Sequence, residues 1–191
     1  FEMIFDSASK GLIEAIDKLI DMYLNGIGTK RSFEHAMIWQ KKKIELFETN
    51  KLEHIKELLE SYIECGDYYF KMLNNESVKY YLKAEELALT NTNYQEKLIE
   101  IYSKLGDFYK NEYNLKMALD YYKKSYEYTT KYYPFDKDKI SDSYYKLAKG
   151  YSSLENYEKA IEYYEKALVI KEKIYKETLE DDIAQELSDV Y

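Results

Sequence analysis

The sequence predicts an all-α fold in which antiparallel helical hairpins stack into a right-handed superhelix. Large and small side chains recur at helical spacing between Tyr144 and Ala167, with one short polar break between two helical runs. The same spacing returns upstream between Tyr102 and Ser125, and a spacing that recurs along a chain indicates a helical repeat. Only six Gly and one Pro occur in 191 residues, so the composition favours long, uninterrupted helices.

The recurring unit has a fixed order of side-chain sizes. One copy has Tyr144, Leu147, Ala148 and Tyr151 in its first helix and Ala160, Tyr164 and Ala167 in its second. The upstream copy has Tyr102, Leu105, Gly106, Tyr109, Ala118, Tyr122 and Ser125, so Ser replaces the last Ala. This pattern resembles the tetratricopeptide repeat. The resemblance covers most of the chain and implies one solenoid over residues 1–191, with complete hairpins at about 52–91, 94–132 and 139–176 and a partial, capping helix at 180–191.

The first unit, residues 9–48, is similar to a Sel1-like repeat, a relative with a longer, Gly-containing turn. Gly26 and Gly28 fall in that turn, where glycine adopts positive φ angles at low cost. This G-x-G follows a predicted helix and lacks a third glycine, so it does not indicate a nucleotide-binding loop. Ile20 and Gln40 depart from the Sel1-like pattern, which usually has Gly and an aromatic residue there.

The sharpest predicted break lies at Pro134, which cannot continue a helix. Ala118 and Ala160 lie 42 positions apart, whereas a simple tetratricopeptide repeat has about 34 residues. The surplus is not rich in Gly or Ser, so we expect it to lengthen the helices. This longer spacing resembles the kinesin light chain type of repeat.

Charge and cysteine content restrict the function classes. The chain has 36 acidic and 28 basic residues and a net charge of −8, which argues against general nucleic-acid binding because phosphates require a basic surface. The lone cysteine, Cys65, cannot form an internal disulfide and is expected to be buried in the core. No apolar run approaches the ~18 residues that span a bilayer, and no signal peptide is evident. We therefore expect a cytoplasmic protein, and the unfinished pattern at Tyr191 leads us to expect a piece of a longer chain.

Motifs for catalysis or cofactor binding are missing from the sequence. His35 and His54 fall on different predicted helices, and no H-E-x-x-H, C-x-x-C, P-loop or G-x-S-x-G motif occurs. We therefore expect a protein that is not an enzyme and that needs neither a metal nor an organic cofactor.

The candidate binding site follows from the resemblance, which places certain first-helix positions on the inner wall of the array. The wall is expected to be acidic near the N-terminal end and more basic towards the C-terminal end, and to bind a peptide or partner protein with a basic segment. Reversing Asp67 and Asp107 to Lys is expected to spare the fold and abolish that binding. The predicted groove residues are Glu60, Asp67, Phe70, Glu100, Asp107, Lys110, Asp142, Tyr145 and Lys149.

The leading functional hypothesis is a protein–protein interaction scaffold. The alternatives are the sensor or regulatory region of a larger signalling enzyme, such as a signalling ATPase or protease, and a peptide-pheromone receptor that resembles the Rap-type regulators. The Hsp90-type carboxylate clamp needs Lys and Asn at two first-helix positions. The chain has Ile63 with Asp67 and Ser103 with Asp107 there, so that specificity is not carried over.

Overall fold

The computed structural model describes the backbone of residues 1–190 and the side chains of residues 1–179. The described backbone contains helices and no strands. The chain divides into two compact units, Phe1–Tyr94 (unit 1) and Gln95–Tyr191 (unit 2), and each is described by itself. The all-α helical-repeat class that the sequence predicts is confirmed. A single solenoid over the whole chain stays a prediction.

Unit 1 contains five helices, each packed against the next one along the chain. The core lies between the helices and includes Ile16, Leu19, Leu58 and Leu59, which are almost fully buried. An additional short helix, α1, precedes the first predicted unit. The helices are α1 (Glu2–Ser9), α2 (Ile13–Asn25), α3 (Phe33–Thr49), α4 (Ile55–Lys71) and α5 (Glu76–Thr90).

The α2–α3 hairpin forms around the two glycines that the sequence places in its turn. Gly26 and Gly28 have φ angles of 72° and 67°, a region that L side chains rarely adopt. The Ser32 hydroxyl then accepts a hydrogen bond from the His35 backbone N–H at 3.3 Å and caps α3. Gln40, where an aromatic residue was expected, is buried and donates to the Ser61 carbonyl at 3.3 Å.

Unit 2 contains four helices in sequential contact. A short 3₁₀ segment, Thr92–Lys97, precedes the first of them, so the helix predicted to begin near Tyr94 begins at Leu98 instead. The helices are α6 (Leu98–Asn111), α7 (Leu115–Tyr132), α8 (Lys137–Ser153) and α9 (Tyr157–Val190).

The surplus length between Ala118 and Ala160 is helical, as predicted. Only residues 133–136 and 154–156 separate α7, α8 and α9 over this interval. Pro134 lies in the first of these turns, and Asp136 caps α8 by accepting from the Lys139 backbone N–H at 3.0 Å. The predicted separate cap at 180–191 does not begin at a backbone break, because α9 is continuous to Val190; its packing falls on side chains outside the described residues.

Three hairpin turns have the same backbone conformation and the same backbone hydrogen bond. Leu73, Tyr113 and Glu155 adopt positive φ angles of 52°, 57° and 60°. In each turn the next residue is Asn, and its backbone N–H bonds to the carbonyl of a tyrosine five residues earlier, at 2.9–3.0 Å. This bond, from the third residue after the helix to the last turn of the helix, ends each first helix as a Schellman motif.

Stacked tyrosines explain much of the aromatic content of the chain. Each of three hairpins has one nearly parallel tyrosine pair, with ring centroids 5.4–5.7 Å apart. In each hairpin, the ammonium of a lysine on the second helix lies 4.7–5.9 Å from the centre of one or two tyrosine rings. Offset rings and a cation above them both stabilise such packing. The pairs are Tyr69–Tyr80, Tyr109–Tyr121 and Tyr151–Tyr163, and the lysines are Lys83, Lys124 and Lys166.

Candidate peptide-binding cleft

A cleft of about 560 Å³ lies in unit 2 between side chains of α6, α7 and α8. Charged groups of both signs line it in equal number, and the predicted change from an acidic to a more basic wall along the array stays a prediction. The acidic residues are Glu96, Glu100, Asp107 and Asp142, and the lysines are Lys97, Lys104, Lys139 and Lys146.

A close approach between α6 and α7 supports one wall of the cleft. A Cβ atom placed on Gly106 would lie 2.5 Å from Cε1 of Tyr122, so only glycine fits beneath this ring. The Tyr122 hydroxyl donates to the Asp107 carboxylate at 2.6 Å. Burial, followed by this hydrogen bond, raises the pKa of the Tyr122 phenol, so the phenol stays neutral near neutral pH.

Lys146 is a half-buried cation inside the cleft. Its ammonium donates a hydrogen bond to the Ser103 hydroxyl, and within the described part of the chain no carboxylate pairs with it within 4.0 Å. Burial lowers the pKa of Lys146, while the nearby charges of Asp107 and Asp142 act in the opposite direction. Lys146 is therefore a desolvated ammonium group whose positive charge is only partly compensated.

Three of the six predicted groove residues of unit 2 reach this cleft. Glu100 and Asp107 on α6 and Asp142 on α8 line it, whereas the other three are absent from its lining. Tyr145 lines a different cavity of about 520 Å³ beside Tyr164 and Leu168. The ammonium of Lys149 lies 5.7 Å from the centre of the Tyr145 ring. Lys110 is half-buried on α6.

The predicted residues of unit 1 lie on α4. Glu60, Asp67 and Phe70 are partly exposed there, and Asp67 accepts a hydrogen bond from the Tyr81 hydroxyl at 2.7 Å. This contact repeats the Tyr122–Asp107 arrangement, because Gly66 also lies beneath the tyrosine ring.

An acidic surface surrounds Tyr68, next to the predicted Asp67. Burial raises the pKa of Tyr68, and the charges of Glu64, Asp21, Asp17 and Asp67 raise it further. Lys43 neutralises part of this charge, with its ammonium 2.8 Å from the carboxylate of Asp17. The acidic N-terminal wall stays a prediction.

Sequence reasoning missed the contribution of α7 to the cleft, because it considered first-helix positions alone. Ser125 and Thr129 line the cleft from α7, and the Ser125 hydroxyl donates to the Ile99 carbonyl at 2.9 Å. The sequence contained one signal for this contribution of α7: Ser occupies position 125, where the repeat pattern has Ala. Lys139 and Ser103 were also missed as lining residues.

No metal centre is found among the described side chains, where no three His, Cys, Asp or Glu residues cluster in a suitable way. His35 contacts the Ser32 hydroxyl at 2.7 Å, and the ring of His54 packs 5.2 Å from that of Phe47. Cys65 is free and fully buried, and burial raises the pKa of its thiol to about 12. Over the same part of the chain, no helix has the length and apolar character needed to cross a membrane.

The family comparison identifies the repeat that builds the cleft. Residues 97–173 match the family model described as the tetratricopeptide repeat. This part of the chain, 77 of 191 residues, is therefore similar to tetratricopeptide repeats. The repeats include α6, α7, α8 and the first half of α9. The Sel1-like resemblance of residues 9–48 lies outside the match and stays a prediction. No curated protein sequence matches the chain at a significant level.

Solved structures share the all-helical fold of this chain at low sequence identity. BtubC (BKLC) from P. vanneervenii has a TM-score of 0.70 at 15% identity, over 85% of this chain and 64% of that one. MamA has a TM-score of 0.58 at 23% identity, over 89% of this chain and 84% of that one. A second MamA structure has a TM-score of 0.51 at 20% identity, over 92% and 93% of the two chains. This chain thus spans about two thirds of BtubC, and the likeness concerns the fold alone.

Proposed function

We propose that the chain is a protein-interaction scaffold that binds a peptide segment of a partner protein in the unit 2 cleft. The repeat region supports a role in protein interaction. The cleft is large enough for several side chains, since ligand pockets begin at about 300 Å³. Its lining offers charged donors and acceptors on three helices, and such groups fix the register of a bound peptide.

Lys146 is the observation that carries this proposal. A desolvated ammonium without a carboxylate in contact is costly, because burial disfavours the charged form. A carboxylate from a bound peptide would restore the charge balance and form a charge-assisted hydrogen bond. Asp107 is less able to balance the charge of Lys146, because its carboxylate already accepts a hydrogen bond from the Tyr122 hydroxyl. We therefore assign Lys146 as the contact for an acidic group of the peptide.

A basic segment of the partner is the second part of the proposal. In unit 1, the four carboxylates around Tyr68 would attract a lysine or arginine, and the chain's own Lys71 already lies 6.0 Å from the centre of that ring. In unit 2, Asp142 is an exposed acidic group of the cleft that pairs only with Lys171, at 3.0 Å, in the described part of the chain. The peptide that fits best carries residues of both charges.

The test selects peptides and then separates the roles of the charges. A random peptide library displayed on phage is selected on the chain, and the enriched peptides are measured by fluorescence anisotropy. Lys146→Met keeps the length of the side chain and removes its charge, and Lys116→Met on the exposed side of α7 is the matched control. We expect Lys146→Met to weaken binding of acid-containing peptides about tenfold or more, and the control to have no effect.

The proposal fails if no peptide is enriched or if Lys146→Met leaves every affinity unchanged. A loss of affinity on Glu64→Gln alone would move the binding site to unit 1. No observation here favours the regulatory-region or pheromone-receptor alternatives, which stay hypotheses. A cytoplasmic location and the absence of catalysis also stay proposals, and the free, buried Cys65 agrees with a reducing environment.

A further inference from the structure

Lys146 differs from the other three lysines that line the unit 2 cleft. Each of those ammonium groups lies 2.9–3.9 Å from a carboxylate. Lys146 instead donates to the Ser103 hydroxyl, and none of the described carboxylates lies within 4.0 Å of its ammonium. An ion pair favours the charged form of a lysine, whereas a hydroxyl can bond to the ammonium or to the neutral amine. The contacts of Lys146 therefore allow it to lose its proton. The three paired lysines are Lys97, Lys104 and Lys139.

The surroundings of Lys146 favour its neutral amine. Burial is the largest influence, and it lowers the pKa of Lys146. The charges of Lys104 on α6 and Lys149 on α8 lower this pKa further, while those of Asp107 on α6 and Asp142 on α8 oppose the change. The hydroxyl groups that α7 contributes to the cleft are uncharged. An ordinary lysine has only about one neutral amine in a thousand at pH 7.4, so a lowered pKa enlarges the fraction that can act as a nucleophile.

The cleft gives a small reagent access to this amine. Lys146 lines the cavity of about 560 Å³, which lies within the size range of small-molecule pockets. A lysine enclosed in the core is out of reach of a reagent, whereas an exposed lysine is reachable but almost entirely protonated. Lys146 combines desolvation with contact to a cavity, which is the usual environment of a reactive lysine.

Acyl transfer is a reaction that such an amine can carry out. With an acyl phosphate as donor, the neutral Nζ of Lys146 attacks the carbonyl carbon and a C–N bond forms. The bond from that carbon to the bridging oxygen breaks, and phosphate leaves with the electron pair. One proton passes from the nitrogen to water. The product is an amide, which carries no charge, so acylation removes the cation that the cleft offers to a peptide carboxylate.

We propose that Lys146 is a modification site, which small activated acyl donors acylate in preference to the exposed lysines of the chain. We further infer that this acylation prevents the cleft from binding acidic peptides. The modification site stands on the surroundings of Lys146 alone. The effect on peptides rests on the function proposed above.

Acetyl phosphate is the probe that tests the modification site. The full chain is treated at several pH values, and mass spectrometry measures the initial rate of acetylation at each lysine. Lys116 is the internal reference, because it is exposed on α7. We expect Lys146 to react about fivefold or more faster than Lys116 at pH 7.5, and its rate to level off at a lower pH.

Two variants test the cause of the reactivity. Asp142→Asn removes a charge that favours the ammonium form, so it should speed the acetylation of Lys146. Ser103→Asp places a carboxylate beside the ammonium and should slow it. Lys116 should react at the wild-type rate in both variants, and a melting curve shows whether each has kept its fold. The site is overturned if Lys146 reacts no faster than Lys116, if both rates level off at the same pH, or if a folded Asp142→Asn variant leaves the rate at Lys146 unchanged.

Peptide binding tests the consequence of acylation. Acid-containing peptides enriched on the chain are measured by fluorescence anisotropy before and after acetylation. Their affinity should fall about tenfold or more in the wild type, and the residual affinity of Lys146→Met should stay unchanged. Preferential acetylation of Lys146 with unchanged peptide affinity would overturn the effect on binding. If no peptide is enriched, the proposed function and this effect fail together, and the acetylation rates still decide whether Lys146 is the modification site.

Discussion

Gly106 provides the most direct test of the helix crossing in unit 2. A Cβ at this position would lie 2.5 Å from Cε1, 2.6 Å from Cδ1 and 3.1 Å from Cζ of Tyr122. The ring cannot move aside easily, because Tyr122 is 1% exposed and its hydroxyl bonds to Asp107. Gly106→Ala should therefore overpack the crossing and cost up to about 3 kcal/mol.

Part of this cost is offset by helix propensity. Alanine is favoured over glycine in a helix interior by about 1 kcal/mol, so the expected net loss for Gly106→Ala is about 2 kcal/mol. Urea unfolding monitored by circular dichroism measures this difference. In a Tyr122→Ala background the clash is absent, and the same Gly106→Ala change should instead stabilise the chain by about 1 kcal/mol.

The sign change between the two backgrounds is the decisive feature. If Gly106→Ala stabilises the chain when Tyr122 is present, the ring does not pack against the α6 backbone and the reasoning is wrong. Gly66→Ala provides an independent copy of the experiment in unit 1, where the corresponding distance to Tyr81 is 2.4 Å. The two glycines should behave alike.

Further predictions concern a turn, the response to pH, and the carboxylate partner of Tyr122. Tyr113→Gly should stabilise unit 2 by about 0.5–1 kcal/mol in urea unfolding, because Tyr113 is 88% exposed and has a φ angle of 57°; an unchanged or lower stability would contradict the positive φ angle. Burial and the bond to Asp107 raise the pKa of Tyr122, and its bond to Tyr144, followed by burial, raises the pKa of Tyr126 to about 12. Because these tyrosines are neutral in the folded state and ionise more easily when unfolded, their contribution should be complete below about pH 10 and be lost as the pH rises towards 12. Tyr122→Phe should make that loss shallower in pH-dependent melting, and an identical profile would contradict the assignment. Asp107→Lys should lower the melting temperature rather than spare the fold, since it removes the acceptor of a buried hydroxyl at a cost of about 1–3 kcal/mol; wild-type melting would show that this bond is dispensable.

The last of these predictions is the opposite of an expectation drawn from the sequence. Asp67 and Asp107 were predicted to be groove residues that could be reversed without harm to the fold. Each instead accepts a hydrogen bond from a tyrosine on the following helix. The sequence contained the signal, since a Gly–Asp pair precedes the tyrosine in both hairpins, but repeat periodicity alone does not show which polar side chains bond to each other.

The helices were more predictable than the cleft. Most helix boundaries were predicted to within a few residues. The prediction used small residues at crossings, such as Gly106 and Ala160, and the break at Pro134, and these signals are informative because side-chain size and backbone restrictions act locally. The 3₁₀ segment at Thr92–Lys97 was missed, since tight turns at helix ends have no strong composition signal. The extent of α9 was also missed. The repeat pattern suggested that this helix ends before residue 180, although no Gly or Pro marks an end there.

The cleft depends on packing between helices that are distant in sequence. Lys146 contacts Ser103, which lies 43 positions away, and no spacing rule predicts that a lysine beside the groove positions becomes half-buried. Tyr145 and Lys149 were selected from repeat position and Lys110 as a residue close to such positions, yet none of them lines the cleft. Position within a repeat predicts the face of a helix, whereas the neighbours of that face decide which residues form a site.

Backbone amide chemical shifts, recorded while an enriched acid-containing peptide is added, test the central claim most directly. The account predicts that the largest changes fall on residues that line the cleft, including Ser103, Asp142 and Lys146, and that they vanish in Lys146→Met. Changes confined to the exposed sides of α7 and α9, with the cleft residues unaffected, would contradict it.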